Sequence, residues 1–441
     1  MMGRIKENLL IKGVYPLADV FFHSRMTSWY TRIGKMLSWT PEEIVDWQTR
    51  QMKQLISDAY QYSPYYHDLF VSLSLRPDDF REISDLEKLP PLTKETIRTN
   101  YDRILLKGKK GLHYQHRSTG GSTGNPSNYI KDNISWGFDN AFTIHMWKQT
   151  GYTYGDKFLA LGSSSIFPKK KNSVLNSLYY GLRGKISFNA MNMSVDVMNE
   201  CISVIQRHHI HYIYGYASSI FLLAKYVEEN GLGSSLCIRA CFPTSEILTD
   251  VYRSTIERVF HCIVLDMYGA HDGGIVAHSL CNGYKVGYNC LVQIENRSSF
   301  GTALLTDVLS TSFPIIRYRL GDELVLGEGY NSFFNGQVLD KVIGRTSDVI
   351  RLENGRVLTG PGFTILFRDV PVKGYRIYKS GLLQLTVEMV KDNSYNKTYE
   401  DIVVTTIKKF AGDDCEVFIR YSESIQTRSN GKNLYFLNDN K

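Results

Sequence analysis

The chain has 441 residues, 43% of them hydrophobic and 22% charged, with a formal net charge of +7. That length accommodates two or three domains with sizeable cores, and the balance of apolar to charged residues is that of an ordinary globular protein. So small a positive surplus, without a helix-turn-helix, zinc-finger or RNA-recognition pattern, gives no case for a nucleic-acid partner and suits a small anionic substrate instead.

No apolar run approaches the roughly 20 residues of a membrane span. Met1-Met2-Gly3-Arg4 is not followed by the apolar stretch of a signal peptide, so a cytoplasmic location is expected. The seven cysteines (Cys201, Cys237, Cys241, Cys262, Cys281, Cys290 and Cys415) are odd in number and form no Cys-x-x-Cys pair, which points to free thiols in a reducing compartment. His278, Cys281 and Cys290 lie close in sequence, but their spacing is not that of a standard zinc site.

Residues 1–40 mix Lys and Arg with Phe21, Phe22, Trp29, Tyr30 and Trp39. A basic, aromatic opening can lie on a membrane surface. Such aromatics more often pack inward, so membrane contact by the N-terminus is not expected. Thr40-Pro41-Glu42-Glu43 is a helix start, with Thr as cap, Pro first and Glu third. The helix runs past Trp47, Met52, Leu55 and Ile56 and breaks at 62–66. Leu89-Pro90-Pro91-Leu92 is a second break before a capped helix.

Arg117-Ser118-Thr119-Gly120-Gly121-Ser122-Thr123-Gly124-Asn125-Pro126 follows. Glycines let a ligand approach the main chain, and successive amide groups with hydroxyls form a nest for anions. The composition suits a nucleotide triphosphate, although a plain surface loop has a similar one. It is neither a Walker A loop nor a Rossmann fingerprint. Beyond it, helices at 134–149 and 195–208, one that follows the turn at Gly215–Ser219 and runs through Glu229, and one at 249–260 alternate with short apolar strands at 157–162, 210–214, 238–243 and 263–267. This alternation predicts an α/β core with parallel pairing. From Val286 the pattern becomes β-rich, with strands at 291–295, 301–308, 315–318 and 323–326. After Gly344 a smaller unit is expected, with strands at 349–352, 374–378, 383–389 and 416–421 and a helix at 399–410.

Four further segments stand in a fixed order: Asp266 to Gly274 around Tyr268-Gly269-Ala270-His271-Asp272, Pro314 to Asp322, Gly344 to Arg351, and Thr427 to Lys432. Each is unremarkable alone. Together with the glycine loop, the chain resembles the adenylate-forming (acyl-activating) superfamily, most closely its phenylacetate–CoA ligase and CapK-like branch, named for capsular polysaccharide loci. Ser118–Pro126 is similar to the family's Ser-Ser-Gly-Thr-Thr-Gly-Lys-Pro loop. Tyr268–Asp272 is similar to Tyr-Gly-x-Thr-Glu, Tyr318–Asp322 to Tyr-Arg-Thr-Gly-Asp, and Gly344–Ile350 to Gly-Arg-x-Asp-Asp-x-Ile. Arg428–Lys432 is similar to Arg-Ser-x-Gly-Lys, Gly215–Ser219 to Gly-Tyr-Pro-Ser, and Thr244–Leu248 to Ser-Glu-x-Leu.

The resemblance, covering about residues 45–436, implies the adenylate-forming fold. That is a large N-terminal α/β region with a β-rich subdomain (1–343) and a small mobile α+β C-terminal lid (344–441). It implies ATP-dependent conversion of a carboxylic acid to acyl-AMP, then transfer to the thiol of coenzyme A or a phosphopantetheine, or to an amine. By position, Ser118, Thr119, Gly120, Gly121, Ser122, Thr123 and Gly124 would hold the ATP phosphates. Tyr268 and Gly269 would face adenine, Asp322 the ribose hydroxyls, and Arg345 ribose or phosphate. Asp272 would bind Mg²⁺. Lys432 would bridge the carboxylate and α-phosphate, and His271 would stand at the reacting groups. The implied partners are the acid substrate and an acyl-carrier protein or a polysaccharide-biosynthesis enzyme.

The chain also departs from the pattern. Asn125 replaces the loop lysine, His271 the threonine, Asp272 the glutamate, and Ser347 the Asp or Lys of the hinge. These changes leave open a catalytically weak nucleotide-binding accessory protein of polysaccharide assembly. The resemblance places the acyl pocket near Phe138, Phe142, Trp147, Tyr214, Tyr216 and Phe242, although aromatics of this kind are more often core residues.

Overall fold

The computed structural model describes residues 7–118, 128–162, 184–189, 193, 195–270, 274–280, 283–295, 299–327, 338–345, 349–354, 357–359, 367, 370–392, 394–423 and 436–437. The N-terminal layer is helical. Thr40 and Glu43 form a reciprocal cap, with the Thr40 amide donating to Glu43 Oε2 at 2.8 Å and the Glu43 amide to Thr40 Oγ1 at 3.3 Å. They start the helix Pro41–Tyr62, whose Trp47, Met52, Leu55, Ile56 and Ala59 are buried. Ser63 interrupts it with extended backbone, and a new helix, Pro64–Ser72, begins at once. Ser63 also caps that second helix, so the expected break is a corner between two helices.

The glycine loop is flanked by two strands the sequence patterns did not reveal. β1 (Tyr114–Ser118) and β2 (Asn128–Asp132) pair antiparallel, and Ser118 faces Asn128 across the hairpin. The next helix, Asn133–Lys148, lies under a large sheet. In chain order its strands are β3 (Phe158–Gly162), β4 (Lys185–Asn189), β5 (Tyr212–Tyr216), β6 (Ala240–Thr244), β7 (Ile263–Val264), β8 (Met267–Ala270), β9 (Gly274–Leu280), β10 (Gly283–Val286), β11 (Cys290–Ile294), β12 (Phe300–Asp307), β13 (Tyr318–Leu326) and β14 (Val338–Arg345).

The spatial order is β11-β12-β13-β14-β10-β9-β8-β6-β5-β3-β4, with β7 beside β6. From β4 to β8 the pairings are parallel, and from β8 to β11 they are antiparallel. The helices Val195–His208, Ala217–Glu229 and Asp250–Phe260 supply the crossovers of the parallel half. They bury Ile202, Ile205, Ile220, Leu223 and Ile256 against Leu159, Leu161, Ile213 and Cys241 of the strands. A right-handed strand-helix-strand crossover needs an apolar stripe of this kind on each helix.

Two expectations change in detail. The strand expected at 263–267 is two strands broken at Leu265 and Asp266, so Tyr268-Gly269-Ala270 lies in a strand rather than after one. The two strands expected at 315–318 and 323–326 are joined as β13. Residues 349–437 have a core of their own, in which Ile350, Leu358, Ile377, Leu385, Val387, Met389, Val403 and Ile407 pack together. Its sheet has the order β17-β16-β15-β18, with β15 at Val372–Gly381, β16 at Gln384–Lys391, β17 at Glu416–Tyr421 and β18 at Phe436–Leu437. The helix Lys397–Ala411 belongs to this core.

Candidate active site

Parallel strands present their carboxyl ends on one edge, where α/β proteins bind ligands. Here that edge brings together described parts of several motif segments. Tyr216 ends β5 and is the cross-strand partner of Thr244, which ends β6; Thr244 is in turn partnered by Met267, which opens β8. Gly215 permits this alignment, because a Cβ there would lie 2.1 Å from the Leu161 carbonyl oxygen of β3. Glu246, two residues beyond β6, accepts a hydrogen bond from the Ser218 amide at 2.8 Å. Ser218 is in the first turn of the helix Ala217–Glu229, where unpaired amides and the helix dipole favour a carboxylate. The Gly215–Ser219 and Thr244–Leu248 segments, unrelated in sequence, are therefore one feature of the surface.

Tyr268 and Asp322 meet on this edge. The Tyr268 hydroxyl donates to Asp322 Oδ2 at 2.8 Å. Tyr268 is partly buried and Asp322 buried. Asp322 is also the cross-strand partner of Arg345, so the Tyr-Gly, Arg-Leu-Gly-Asp and Gly-Arg segments converge. Gly344, at φ +107°, precedes Arg345, and a Cβ on it would come within 2.4 Å of Ile247 Cδ1. This links the same corner to the Glu246 segment.

Beneath Tyr268, Asp266 is held in the strand break. Its amide donates to Ser279 Oγ at 2.7 Å, and its Oδ2 accepts the Tyr284 hydroxyl at 2.6 Å. Burial raises the Asp266 carboxyl to about 6, against the lowering effects of the Tyr284 hydrogen bond and Arg253.

The arginines of Arg317-Tyr318-Arg319 have structural partners. Arg317, at φ +51°, donates through Nη1 to the backbone carbonyls of Glu87 (3.2 Å) and Leu89. The Leu92 amide donates to the Arg317 carbonyl at 3.0 Å, and the Arg319 amide to the Leu92 carbonyl at 2.9 Å. Arg319 pairs with Glu295. Tyr318 is buried. This tripeptide ties the Pro90-Pro91 break to the start of β13, the strand that carries Asp322.

Of the other site residues expected from sequence, Ser118 ends β1 and Gly269 lies in β8 opposite Ile275. Thr119, Gly120, Gly121, Ser122, Thr123, Gly124, His271, Asp272 and Lys432 lie outside the described residues. The zinc alternative also involves one such residue, Cys281. Its other two members, His278 and Cys290, are fully buried, with the His278 ring edge-on to Phe142 at 5.5 Å. Burial pushes His278 down to about 3, so it is neutral. Among the described residues no group of three or more His, Cys, Asp or Glu could hold a metal ion.

The aromatic set divides. Phe138, Phe142, Trp147 and Phe242 are buried core residues, with Trp147 stacked on Phe242 at 4.0 Å. Tyr214 and Tyr216 keep partial exposure. Rings this closely packed do not line an open pocket.

Sequence patterns gave no sign of the buried ionic cluster around Lys131 of β2. Lys131 of β2 reaches Asp139 Oδ2 at 2.9 Å and Asp307 Oδ2 at 3.3 Å, and Ser135 Oγ donates to Asp307 at 2.6 Å. Asn289 donates to Asp139 Oδ1 at 3.1 Å. Asp132 accepts from the Ser312 amide at 3.0 Å and from its hydroxyl. Burial raises Asp139 and Asp132 each to about 6, and the paired carboxylates raise Lys131. These contacts fix the strand that leaves the glycine loop against the end of β12.

A parallel-to-antiparallel sheet with these segments at its switch, and a separate small sheet after it, is the fold of adenylate-forming enzymes. 2-Hydroxyisobutyryl-CoA ligase in its postadenylation state, in complex with R3-HIB-AMP, matches it with a TM-score of 0.66 over 91% of each chain at 16% identity. No protein-family model matches the chain. Protein CapK of Staphylococcus aureus is 22% identical over 99% of this chain and 98% of its own. Phenylacetate-coenzyme A ligase of Escherichia coli K12 is 23% identical over 73% of this chain and 75% of its own. The chain has the adenylate-forming fold, and its sequence is similar to CapK and to the phenylacetate-coenzyme A ligases.

Proposed function

We propose that the protein uses ATP to activate a carboxylic acid as acyl-AMP, releasing pyrophosphate, and then passes the acyl group to a thiol of coenzyme A or a carrier-protein phosphopantetheine, or to an amine. The observation that carries this reading is the Tyr268–Asp322 hydrogen bond. It joins an aromatic face and a buried carboxylate at the carboxyl edge of the parallel strands, which suits the base and the two hydroxyls of a ribonucleoside.

In this reading Tyr268 stacks on adenine beside Gly269, and Asp322 accepts hydrogen bonds from ribose. Ser118, Thr119, Ser122 and Thr123, with the amides of Gly120, Gly121 and Gly124, hold the phosphates. Arg345 meets ribose or phosphate from β14. The chemistry is an in-line attack by the substrate carboxylate on the α-phosphate, so the protein contributes positioning and charge neutralisation rather than a covalent step. Lys432 supplies a cation between the attacking carboxylate and the α-phosphate. His271 adds a hydrogen bond there. Asp272, a hard oxygen donor, would hold Mg²⁺, which neutralises phosphate charge when bound.

The proposed division is 1–343 for the nucleotide and acid sites and 344–441 for a lid carrying Lys432. It is supported by the separate core of the C-terminal sheet and by the positive φ of Gly344 at the junction. A lid that turns between the two half-reactions would need such a pivot. A place in surface-polysaccharide assembly rests on the likeness to CapK. The test is calorimetric titration of ATP and AMP into the native chain and into Asp322→Ala. Binding lost in the variant supports the site; equal binding by both removes Asp322 from it.

A further inference from the structure

The segment before the first long helix is apolar on two faces. Residues 7–22 are helical throughout, with a π-helical turn at Leu10–Val14 leading into Tyr15–Phe22. One face is fastened to the molecule. Leu10, Ile11 and Tyr15 are buried, and Tyr15 stacks on Tyr154 at 5.1 Å. The opposite face carries Leu9, Leu17, Val20 and Phe21, and Leu17 and Val20 are 75% and 74% exposed. A helix on a globular protein ordinarily turns polar residues outward. A row of large apolar side chains left in water marks an interaction surface.

The charge around this row is one-sided. The first 40 residues contain six cations (Arg4, Lys6, Lys12, Arg25, Arg32, Lys35) and two acids (Glu7, Asp19), a difference of +4. Both acids are turned inward. Glu7 accepts from Lys148 Nζ at 2.7 Å and from the Tyr30 hydroxyl at 2.5 Å. Asp19 accepts from the Met26 and Thr27 amides, each at 2.7 Å, and so caps the helix Met26–Met36. Lys12, His23 and Arg25 are exposed around the apolar row.

We infer that this outer face is a docking surface for an anionic lipid bilayer, with Leu9, Leu17, Val20 and Phe21 entering the interface and the flanking cations meeting the headgroups. An apolar stripe edged by basic residues is the pattern of a helix that lies in the interfacial plane. A second copy of this chain is the poorer occupant, because a self-complementary contact would bring the same positive surface against itself. The sequence favours inward packing for residues 1–40. Packing holds for Trp29, which is buried, and for Trp39, which is partly so, but not for the row that precedes them.

The test is flotation of the full chain with vesicles of phosphatidylcholine alone and of phosphatidylcholine with phosphatidylglycerol. We expect at least about tenfold stronger partition into the anionic vesicles, weakened by salt. Leu17→Glu combined with Val20→Glu should abolish it, and Lys12→Glu combined with Arg25→Glu should reduce it. Both are exposed-site changes, and an unaltered melting temperature would confirm that each variant folds. If the doubly acidic variant melts early, Leu17→Ser replaces it. Leu17→Trp should show a blue-shifted emission on anionic vesicles only. Native chain that ignores anionic vesicles, or binds them as well after Leu17→Glu/Val20→Glu, overturns the inference. A dimer in sedimentation that the same substitutions dissociate, without vesicle binding, assigns the face to a second copy instead.

Discussion

The Tyr268 hydroxyl and the Asp322 carboxylate are 54 positions apart in the chain and 2.8 Å apart in space. Tyr268 comes from β8, the strand at which the sheet turns from parallel to antiparallel, and Asp322 from β13 in the antiparallel half. Removing only the hydroxyl in Tyr268→Phe leaves the ring but frees the carboxylate. A single hydrogen bond of this kind contributes about 0.5–1.5 kcal/mol. Tyr268→Phe should therefore cost the fold about that amount and ATP binding no more than roughly tenfold, because the ring and the carboxylate both remain and about 1.4 kcal/mol is a factor of ten. Asp322→Ala should weaken it further. Calorimetric titration checks both, and the order of the two effects is the prediction.

Lys131 lies between Asp139 and Asp307 in a buried cluster. Lys131→Met keeps the length of the side chain and removes the cation, leaving two carboxyls facing each other away from water. Breaking a buried ion pair from one side costs about 3–5 kcal/mol. The urea midpoint of Lys131→Met should fall by a corresponding amount. Asp139→Asn should cost less, because Lys131 keeps Asp307 and the amide still accepts from Asn289.

Gly344 holds φ +107°, a conformation that side chains rarely adopt. Gly344→Ala should lose roughly 1–2 kcal/mol for the backbone alone. Its Cβ would also meet Ile247 Cδ1, which is the mobile end of a side chain. Trimming that neighbour in Gly344→Ala/Ile247→Ala should therefore not restore stability. Recovery in the double variant would place the cost in the contact rather than in φ.

Asp266 titrates near 6 when folded, above its ordinary 3.8. A raised carboxyl pKa means that the fold favours the protonated form. The associated stability is complete below about 4 and is lost as pH rises through about 6. Asp266→Asn removes this dependence while leaving an oxygen for the Tyr284 hydroxyl. Relative to the native chain, the variant should gain roughly 1–3 kcal/mol between pH 4 and pH 7, at about 1.36 kcal/mol per unit. Denaturation curves across that range give the difference. Asp132 and Asp139, also raised to about 6, keep a residual slope of the same sign in the variant.

Local physics was legible in the sequence wherever the signal was local. The Thr40 capping box appears as predicted, the helix Val195–His208 and the strand Glu416–Tyr421 keep their expected bounds, and the helix expected at 249–260 runs over Asp250–Phe260. The order of the motif segments gave the fold. Partners set by tertiary packing were not legible. Lys131 and Asp307 are 176 positions apart, and nothing about either residue indicates the other. The hairpin of β1 and β2 was hidden because Gln115, His116 and Arg117 read as polar loop. Phe138, Phe142, Trp147 and Phe242 could serve a pocket or a core on composition alone, and only their mutual stacking identifies them as core. The helical row at Leu9–Phe21 was missed because basic and aromatic content does not say which face is turned to water.

The central claim, activation of a carboxylic acid by ATP, is tested most directly by pyrophosphate release. ATP, Mg²⁺ and hydroxylamine are supplied with a broad panel of carboxylic acids, so that any acyl-AMP is trapped without the natural acceptor. We predict release that depends on one class of acid. It should fall by about 10²- to 10³-fold in Lys432→Ala, the scale of losing one charge-stabilising group, while ATP binding is retained. Acid-independent release, or release undiminished in Lys432→Ala, would contradict the account. So would silence across the whole panel in a chain that binds ATP, which would leave a nucleotide-binding protein without the ligase reaction.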